Sequence, residues 1–259
     1  MARRVWLNVD LGELPGEPEA LYACANVANI ACGGHAGDES SMRRAVELCA
    51  LHGAAVGAHP SYPDREGFGR RRTSIAPDDL RRSVAEQCAR LAAIARASGA
   101  SIAFVKPHGA LYHTARNDQA TAEAIVLGVQ DGLGLRDGPG ARLGPQDFGG
   151  ADVGVLSAPG RVTIVGPASG ELARATARST LAFAREGFAD RAAREDGTLV
   201  PRSEPGAFLL DPVAAADLAE RLAAAGGVDT ICVHGDTPGA VAIARAVRDR
   251  LDSLAGARR

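Results

Sequence analysis

Short apolar runs alternate with longer helical patterns along nearly the whole chain. The runs Val5–Val9, Val27–Ala31, Ala54–Gly57, Ile102–Val105, Thr163–Val165, Leu181–Arg185 and Thr230–Val233 read as strands. They are brief and continuously apolar, which suits parallel strands covered on both faces by helices. The intervening segments carry helix signals. Pro77, with Asp78 and Asp79 behind it, opens a helix whose Leu80, Val84, Cys88, Leu91 and Ala95 share a face, and Gly99 stops it. Asp211-Pro212 opens another that ends at Gly226-Gly227. Thr237-Pro238 opens the last, with Val241, Ala244, Val247 and Leu251 inward. Asp38 and Asp118 sit where N-caps belong, before helices that end near Gly53 and Gly132.

Seven such units in 259 residues predict a single α/β domain over residues 1–259, a barrel or a doubly wound sheet. No G-x-G-x-x-G follows the first strand, which weakens the dinucleotide-binding sheet. Polar residues follow nearly every strand instead, as in a barrel whose strand ends carry the site. The stretch 132–160, rich in Gly, Pro and Asp, breaks the rhythm and reads as a surface insertion.

Composition narrows the function classes. With 29 Lys+Arg against 31 Asp+Glu, no basic stripe points to nucleic acid and no polybasic tract to a membrane surface. No stretch is long and apolar enough to span a bilayer, and no apolar run marks a signal peptide near Met1. Cys24, Cys32, Cys49, Cys88 and Cys232 are odd in number and show no C-x-x-C spacing, so reduced thiols in a cytoplasmic protein are expected. Cys32 and Cys232 neighbour candidate histidines, where packing is the better reading than a nucleophile.

Histidine placement carries the chemistry. His35, His59, His108 and His234 each come just after a predicted strand. In a parallel barrel all strand C-terminal ends lie on one face, so these residues converge despite their separation in sequence. His52, before Gly53 at a helix end, reads as structural; His113, beyond His108, reads equally as site or surface. Acids accompany the histidines: Asp10 and Glu13 after the first strand, Glu186 and Asp190 after the sixth. Glu186 and Asp190 read first as caps or salt-bridge partners. Lys106, the chain's only lysine, ends an apolar strand beside Pro107-His108. A point-like ammonium there can polarise a carbonyl or hold a phosphate. On this reading Lys106→Met spares the fold and lowers turnover. Asp10, His35 and His59 come from the first three strand ends and are the candidate ligands of a divalent metal. The glycine-rich turns Gly33-Gly34, Gly67-Phe68-Gly69 and Gly235 let backbone approach a ligand.

Eight segments in order along the chain then resemble the LamB/YcsF family, the A components of ATP-hydrolysing 5-oxoprolinase. They are Asn8–Glu13, Ala28–Asp38, Gly57–Asp64, Gly67–Arg71, Val105–Tyr112, Phe188–Arg191, Leu199–Ala207 and Cys232–Ala240. The resemblance implies an irregular seven-stranded (β/α) barrel of polysaccharide-deacetylase-like fold. It implies ring opening of 5-oxoproline to glutamate, coupled to ATP hydrolysis, with two partner subunits, B and C. Within the matching segments Asp10, Glu13, His35, His59, Lys106, His108 and His234 are the catalytic candidates. Arg191, Arg202, Glu204, Asp236 and Thr237 are candidates to bind substrate or phosphate. The family usually carries an aromatic where Gly34 stands, so a wider pocket is expected there. No P-loop G-x-x-x-x-G-K-[ST] is present. The competing readings are a freestanding metal-dependent amidase or deacetylase and a binding protein without chemistry of its own. The density of titratable groups argues against the latter.

Overall fold

The computed structural model describes residues 4–135, 161–194 and 198–256. Seven parallel strands, β1 (Trp6–Leu11), β2 (Val27–Ala31), β3 (Ala55–His59), β4 (Ile102–Val105), β5 (Thr163–Pro167), β6 (Ala182–Phe188) and β7 (Thr230–His234), close into a barrel in chain order. Among the described residues eight helices surround it: α1 (Ala20–Cys24), α2 (Glu39–His52), α3 (Pro77–Ala97), α4 (Gly109–Asn117), α5 (Gln119–Leu133), α6 (Glu171–Ala177), α7 (Pro212–Ala225) and α8 (Ala240–Gly256). The expected insertion lies, from residue 136 to 160, outside the described residues; its first two positions instead finish α5, which Gly134 caps.

The longer helices start where their sequence signals put them. The Asp38 side chain accepts from Ser41 N while the Ser41 hydroxyl serves the Asp38 N–H, a reciprocal capping box at α2. Asp118 caps α5 through Thr121 N, Asp211 caps α7 through Val213 N, and each such cap is worth about 1 kcal/mol. Two apolar clusters hold the barrel. The outer one lies between strands and helices and contains Leu7, Val9, Leu11, Ile30, Met42, Leu91 and Val247. The inner one, with Trp6, Val27, Phe104, Val165 and Ala184, plugs the barrel's N-terminal half.

Above that plug the inward positions become polar. Asp10 pairs in register with Asn29 on one side and His234 on the other, and Ala31 pairs with His59. β2 and β4 end where the apolar runs end, and the other five strands run one to three residues further: Asp10, His59, Glu186 and His234 lie within strands rather than after them. Backbone pairing continues where the apolar pattern stops, because the mouth of the barrel accepts polar side chains on its inner face. Among the described residues, no helix is long and apolar enough to cross a membrane.

Candidate active site

Lys106 sits at the centre of the polar layer. Its Nζ lies 2.9 and 3.1 Å from the Asp10 carboxylate oxygens, 2.9 Å from Glu186 Oε1, 3.0 Å from Cys232 Sγ and 3.3 Å from Asn8 Oδ1. The Glu186 contact is an ion pair without hydrogen-bond geometry, and both Glu186 oxygens lack a hydrogen-bond partner. Lys106 is 2% exposed, Asp10 2% and Glu186 5%, so two carboxylates share one cation away from water. Burial alone favours the neutral amine, but Asp10, Cys232 and Glu186 outweigh it and hold the ammonium charged, well above the ordinary lysine range. Burial likewise works to raise Asp10, yet His59 and Lys106 hold its carboxyl well below the usual range. Asn29 Nδ2 adds bonds to Asp10 Oδ1 at 2.9 Å and to Asn8 Oδ1 at 2.7 Å. Cys232 is pushed well up, first by burial and then by Asp10, so its sulfur stays a thiol; burial pushes Cys32 up to about 12. Cys32 packs in the outer apolar cluster, whereas Cys232 is buried in the polar layer against Lys106 and Asp10.

A second group stands beside this layer. The loop after β1 brings Glu13 inward: the Glu17 carboxylate accepts from the backbone N–H groups of Gly12 at 2.6 Å and Glu13 at 3.1 Å, and so ties the turn. Glu13 Oε1 lies 2.9 Å from His35 Nε2, 3.2 Å from His108 Nδ1 and 3.8 Å from His59 Nε2. The His35 and His108 rings stack with centroids 3.6 Å apart. Burial lowers His35 to about 4 and is also the main cause that lowers His108. The Gly67-Phe68-Gly69 turn closes over the stack. Phe68 is the one non-glycine with positive φ (53°) among the described residues, and its carbonyl accepts from His108 Nε2 at 3.0 Å. Gly69, at φ +65°, has no room for a side chain: a Cβ there would lie 2.8 Å from His35 Cβ and 2.9 Å from His108 Cδ2.

His234 forms the third group. Its Nδ1 lies 3.0 and 3.1 Å from the two Asp190 oxygens, its backbone N–H donates to Asp190 Oδ2, and Thr237 Oγ1 donates to the same atom at 2.6 Å. Burial works to raise Asp190, but the His234 imidazole outweighs it and holds the carboxyl below its ordinary value. A carboxylate on Nδ1 fixes the tautomer and turns His234 Nε2 inward, 3.8 Å from Asp10 Oδ2.

A cavity of about 1030 Å³ opens over these groups. Asp10, His59, Lys106, His108, Glu186 and His234 line its base, and Arg70, Arg116, Arg191, Arg202 and Arg221 line its walls and mouth, with His113 among them. Arg191 gives its guanidinium to the carbonyls of Ala207 and Val200, which folds the 198–208 segment against the barrel. Arg202 and Arg70 both bind Asp236. Asp236 and Thr237 thus serve other side chains, and neither lines the cavity. Glu204 is paired with Arg194 on the surface, nearly half exposed and away from the cavity. His52 binds Glu19 on the outside of the barrel. Gly34 also lies off the cavity. A Cβ there would fall 2.3 Å from Gln87 Oε1 and 2.4 Å from Ser61 Oγ. Buried Gln87, which bonds both Ser61 N and Ser61 O, fills the place of a larger residue, so Gly34 does not widen the pocket.

Among the described residues, two sets of side chains could hold a metal ion: Glu13, His35, His59 and His108, and Asp10, Cys232 and His234. Of the set Asp10, His35 and His59, the structure brings Asp10 and His59 together, Oδ2 to Nε2 at 3.3 Å, while His35 turns its Nε2 to Glu13 and Asp10 is also bound by Lys106. Three features are not legible in the sequence: Glu17 as the tie of the first loop, Asp190 as the partner of His234, and the Phe68 carbonyl. The motif around Phe68 is visible, but a backbone acceptor leaves no residue-type signal.

The comparisons agree with this architecture. The LamB/YcsF family model matches residues 5–133 and 154–257. A protein of Methylococcus capsulatus named as the A component of 5-oxoprolinase is 41% identical over 268 residues, 97% of this chain and 93% of that protein. One of the same name from Streptomyces avermitilis is 40% identical over 264 residues, 95% of each chain. The crystal structure of a lactam utilization protein from Thermus thermophilus matches with a TM-score of 0.80 and 33% identity, covering 97% of both chains. With its family model matched over most of its length and relatives of this identity spanning nearly all of it, the chain belongs to the LamB/YcsF family.

Proposed function

We propose that this chain is the A component of an ATP-dependent 5-oxoprolinase, a cytoplasmic hydrolase that opens the lactam ring of 5-oxoproline to L-glutamate together with two other subunits, B and C. The near-full-length likeness to proteins named as that component supports the reaction and the need for partners. Five free, buried thiols support a reducing compartment.

One observation carries the chemistry: His234, oriented by Asp190, presents Nε2 at the base of a cavity walled by arginines. A five-membered lactam is a poor electrophile, and its product adds a second carboxylate. Phosphorylation of the carbonyl oxygen by ATP supplies the activation, and the arginines at the mouth are the groups that meet carboxylate and phosphoryl oxygens. His234 Nε2 takes a proton from water as the water oxygen bonds the carbonyl carbon. The carbon–nitrogen bond breaks, and the proton passes to the leaving nitrogen. The acyl phosphate left on the former carbonyl carbon is hydrolysed by a second water to the new carboxylate and inorganic phosphate, ADP having left in the phosphorylation step. Lys106 and Asp10 set the field at the base of the cavity. Their mutual ion pair makes Lys106 a fixed part of that field rather than a free hand for the carbonyl oxygen.

Glutamate release from 5-oxoproline by the chain reconstituted with its B and C partners, with and without ATP, tests this. ATP-dependent glutamate is expected from the complex and little from the chain alone. His234→Gln is expected to lower turnover by on the order of 100-fold or more. Ring opening by the isolated chain without ATP would refute the reading in favour of a freestanding amidase, and no glutamate from the full complex would refute both.

A further inference from the structure

We infer that Glu13, His59 and His108 form a three-ligand site for a divalent first-row transition metal of the zinc type, open toward the cavity. The inference is independent of the reaction proposed above.

It rests on which ring nitrogens carry protons. His59 Nδ1 lies 2.6 Å from the Lys106 carbonyl oxygen, and His108 Nε2 lies 3.0 Å from the Phe68 carbonyl oxygen. A carbonyl only accepts, so His59 must carry its hydrogen on Nδ1 and His108 on Nε2. The atoms left over, His59 Nε2 and His108 Nδ1, face each other at 3.0 Å, and His59 Nε2 also lies 3.3 Å from Asp10 Oδ2. A proton held there by Asp10 is what a metal ion displaces, leaving both rings neutral with their lone pairs inward. Glu13 Oε1, a third acceptor, closes the triangle at 3.2 Å from His108 Nδ1 and 3.8 Å from His59 Nε2. Three buried acceptors aimed at one point repel one another unless a cation lies between them.

The triangle has the size such an ion needs. Spokes of about 2.0–2.1 Å to nitrogen and oxygen give tetrahedral edges of roughly 3.3 Å. The three edges here, 3.0, 3.2 and 3.8 Å, bracket that value. Backbone carbonyls holding the far nitrogen of each imidazole are the usual support of histidine ligands. Here one of those carbonyls belongs to Phe68, whose backbone is held at φ 53° against its preference. His35 Nε2 donates to Glu13 Oε1 at 2.9 Å and so aims the carboxylate. His59 and His108 both line the cavity, which leaves the fourth position facing it.

The neighbouring set Asp10, Cys232 and His234 lacks this character. The Lys106 ammonium lies 2.9 Å from Asp10 and 3.0 Å from Cys232 Sγ, so a cation there meets a cation. The rival occupant of the His59–His108 contact is a shared proton, with one ring an imidazolium.

Full-length protein stripped with chelator and then dialysed against Zn2+ or Co2+ decides between them. One Zn2+ per chain is expected by elemental analysis, together with a raised melting temperature and, for Co2+, the intense visible bands of a tetrahedral ion. His59→Ala and His108→Ala are each expected to weaken Zn2+ binding by roughly 100-fold or more, whereas His52→Ala on the outer surface leaves it unchanged. X-ray absorption of the unmodified Zn2+-loaded protein is expected to show two imidazoles and a carboxylate oxygen, whatever the variants do to folding. A folded protein that takes up no stoichiometric metal, leaving a shared proton, would overturn the inference. So would undiminished binding in folded His59→Ala and His108→Ala, or an absorption spectrum without imidazole ligands.

Discussion

Replacing Lys106 by methionine removes the one cation between two buried carboxylates. The sequence alone predicts a variant that folds and turns over slowly. The geometry predicts a variant that folds poorly. Lys106 Nζ lies within 3.1 Å of both Asp10 oxygens and 2.9 Å from Glu186 Oε1, and Asp10 and Glu186 are at least 95% buried. Removing one partner of a buried pair typically costs about 3–5 kcal/mol, because the remaining charge lies away from water. Asp10 keeps His59 at 3.3 Å, so Glu186 is the carboxylate left stranded. Native stability is only about 5–15 kcal/mol, so this is a large fraction of it. For a chain of this size about 2–4 °C of melting temperature goes with each kcal/mol, so a drop of roughly 10 °C is expected.

The assay is calorimetric or fluorescence melting of Lys106→Met, Glu186→Gln and the double variant, with urea unfolding alongside. If the loss reflects stranded charge, removing the Glu186 carboxylate from the methionine variant restores part of it, with a coupling of about 1–3 kcal/mol. Melting of Lys106→Met within about 2 °C of the parent would refute the reasoning. So would losses from Lys106→Met and Glu186→Gln that simply add, since additive losses mean the two side chains do not hold each other.

Two further outcomes follow from the other groups. Asp190→Asn removes the charge that orients His234, and turnover of the complex is expected to fall on the order of 100-fold. Asp190 has a depressed carboxyl pKa. Its contribution to stability is therefore fully present above the unfolded value of about 3.9 and is lost as pH falls through the lower folded value. The stability gap between parent and variant, measured by urea unfolding, should be wide at neutral pH and close in acid; a gap that widens in acid contradicts this sign. Gly69→Ala puts a methyl group 2.8 Å from His35 Cβ and 2.9 Å from His108 Cδ2 at a φ of +65°. A loss of about 2 kcal/mol, with activity lost well beyond that expected from unfolding, is the expected result; parent-like melting and turnover would show that the stack has slack.

Much of the barrel can be read from the chain, and the reasons for the gaps are local. All seven strands lie where short apolar runs stand, but the runs stop short of Asp10, His59, Glu186 and His234, because a polar residue inside a barrel ends the apolar pattern without ending the ladder. The long capped helices are evident. The short helices α1, α4 and α6 are not: none has a side-chain cap bond, and α4 begins on Gly109 and α6 follows Gly170. The convergence of the four histidines follows from the parallel rule alone. What each histidine faces does not, because Asp190 reaches His234 across 44 residues and Phe68 reaches His108 through its backbone. Asp190 and Glu186 read from sequence as caps or salt-bridge partners, and salt-bridge partners they are, at the base of the cavity rather than on its outside.

The two buried polar groups divide the base of the cavity by their freedom to change charge. In the Lys106 layer the cation and Asp10 push each other's pKa values apart, which favours the charged form of both. Such a layer suits a fixed field and fixed positions better than proton exchange. Proton traffic then falls to the imidazoles around it. Of these, His59 and His108 have their outward nitrogens tied to carbonyls and their inward nitrogens aimed at Glu13 and at each other, an arrangement that suits a held cation. His234 alone among them combines a carboxylate behind Nδ1 with an Nε2 at the base of the cavity, 3.8 Å from Asp10 Oδ2. The separation gives the histidines different tasks on the proposed reaction: His59 and His108 are immobilised by carbonyls, His35 aims Glu13, and His234, the proposed proton carrier, is held by an acid that can balance the imidazolium when it forms.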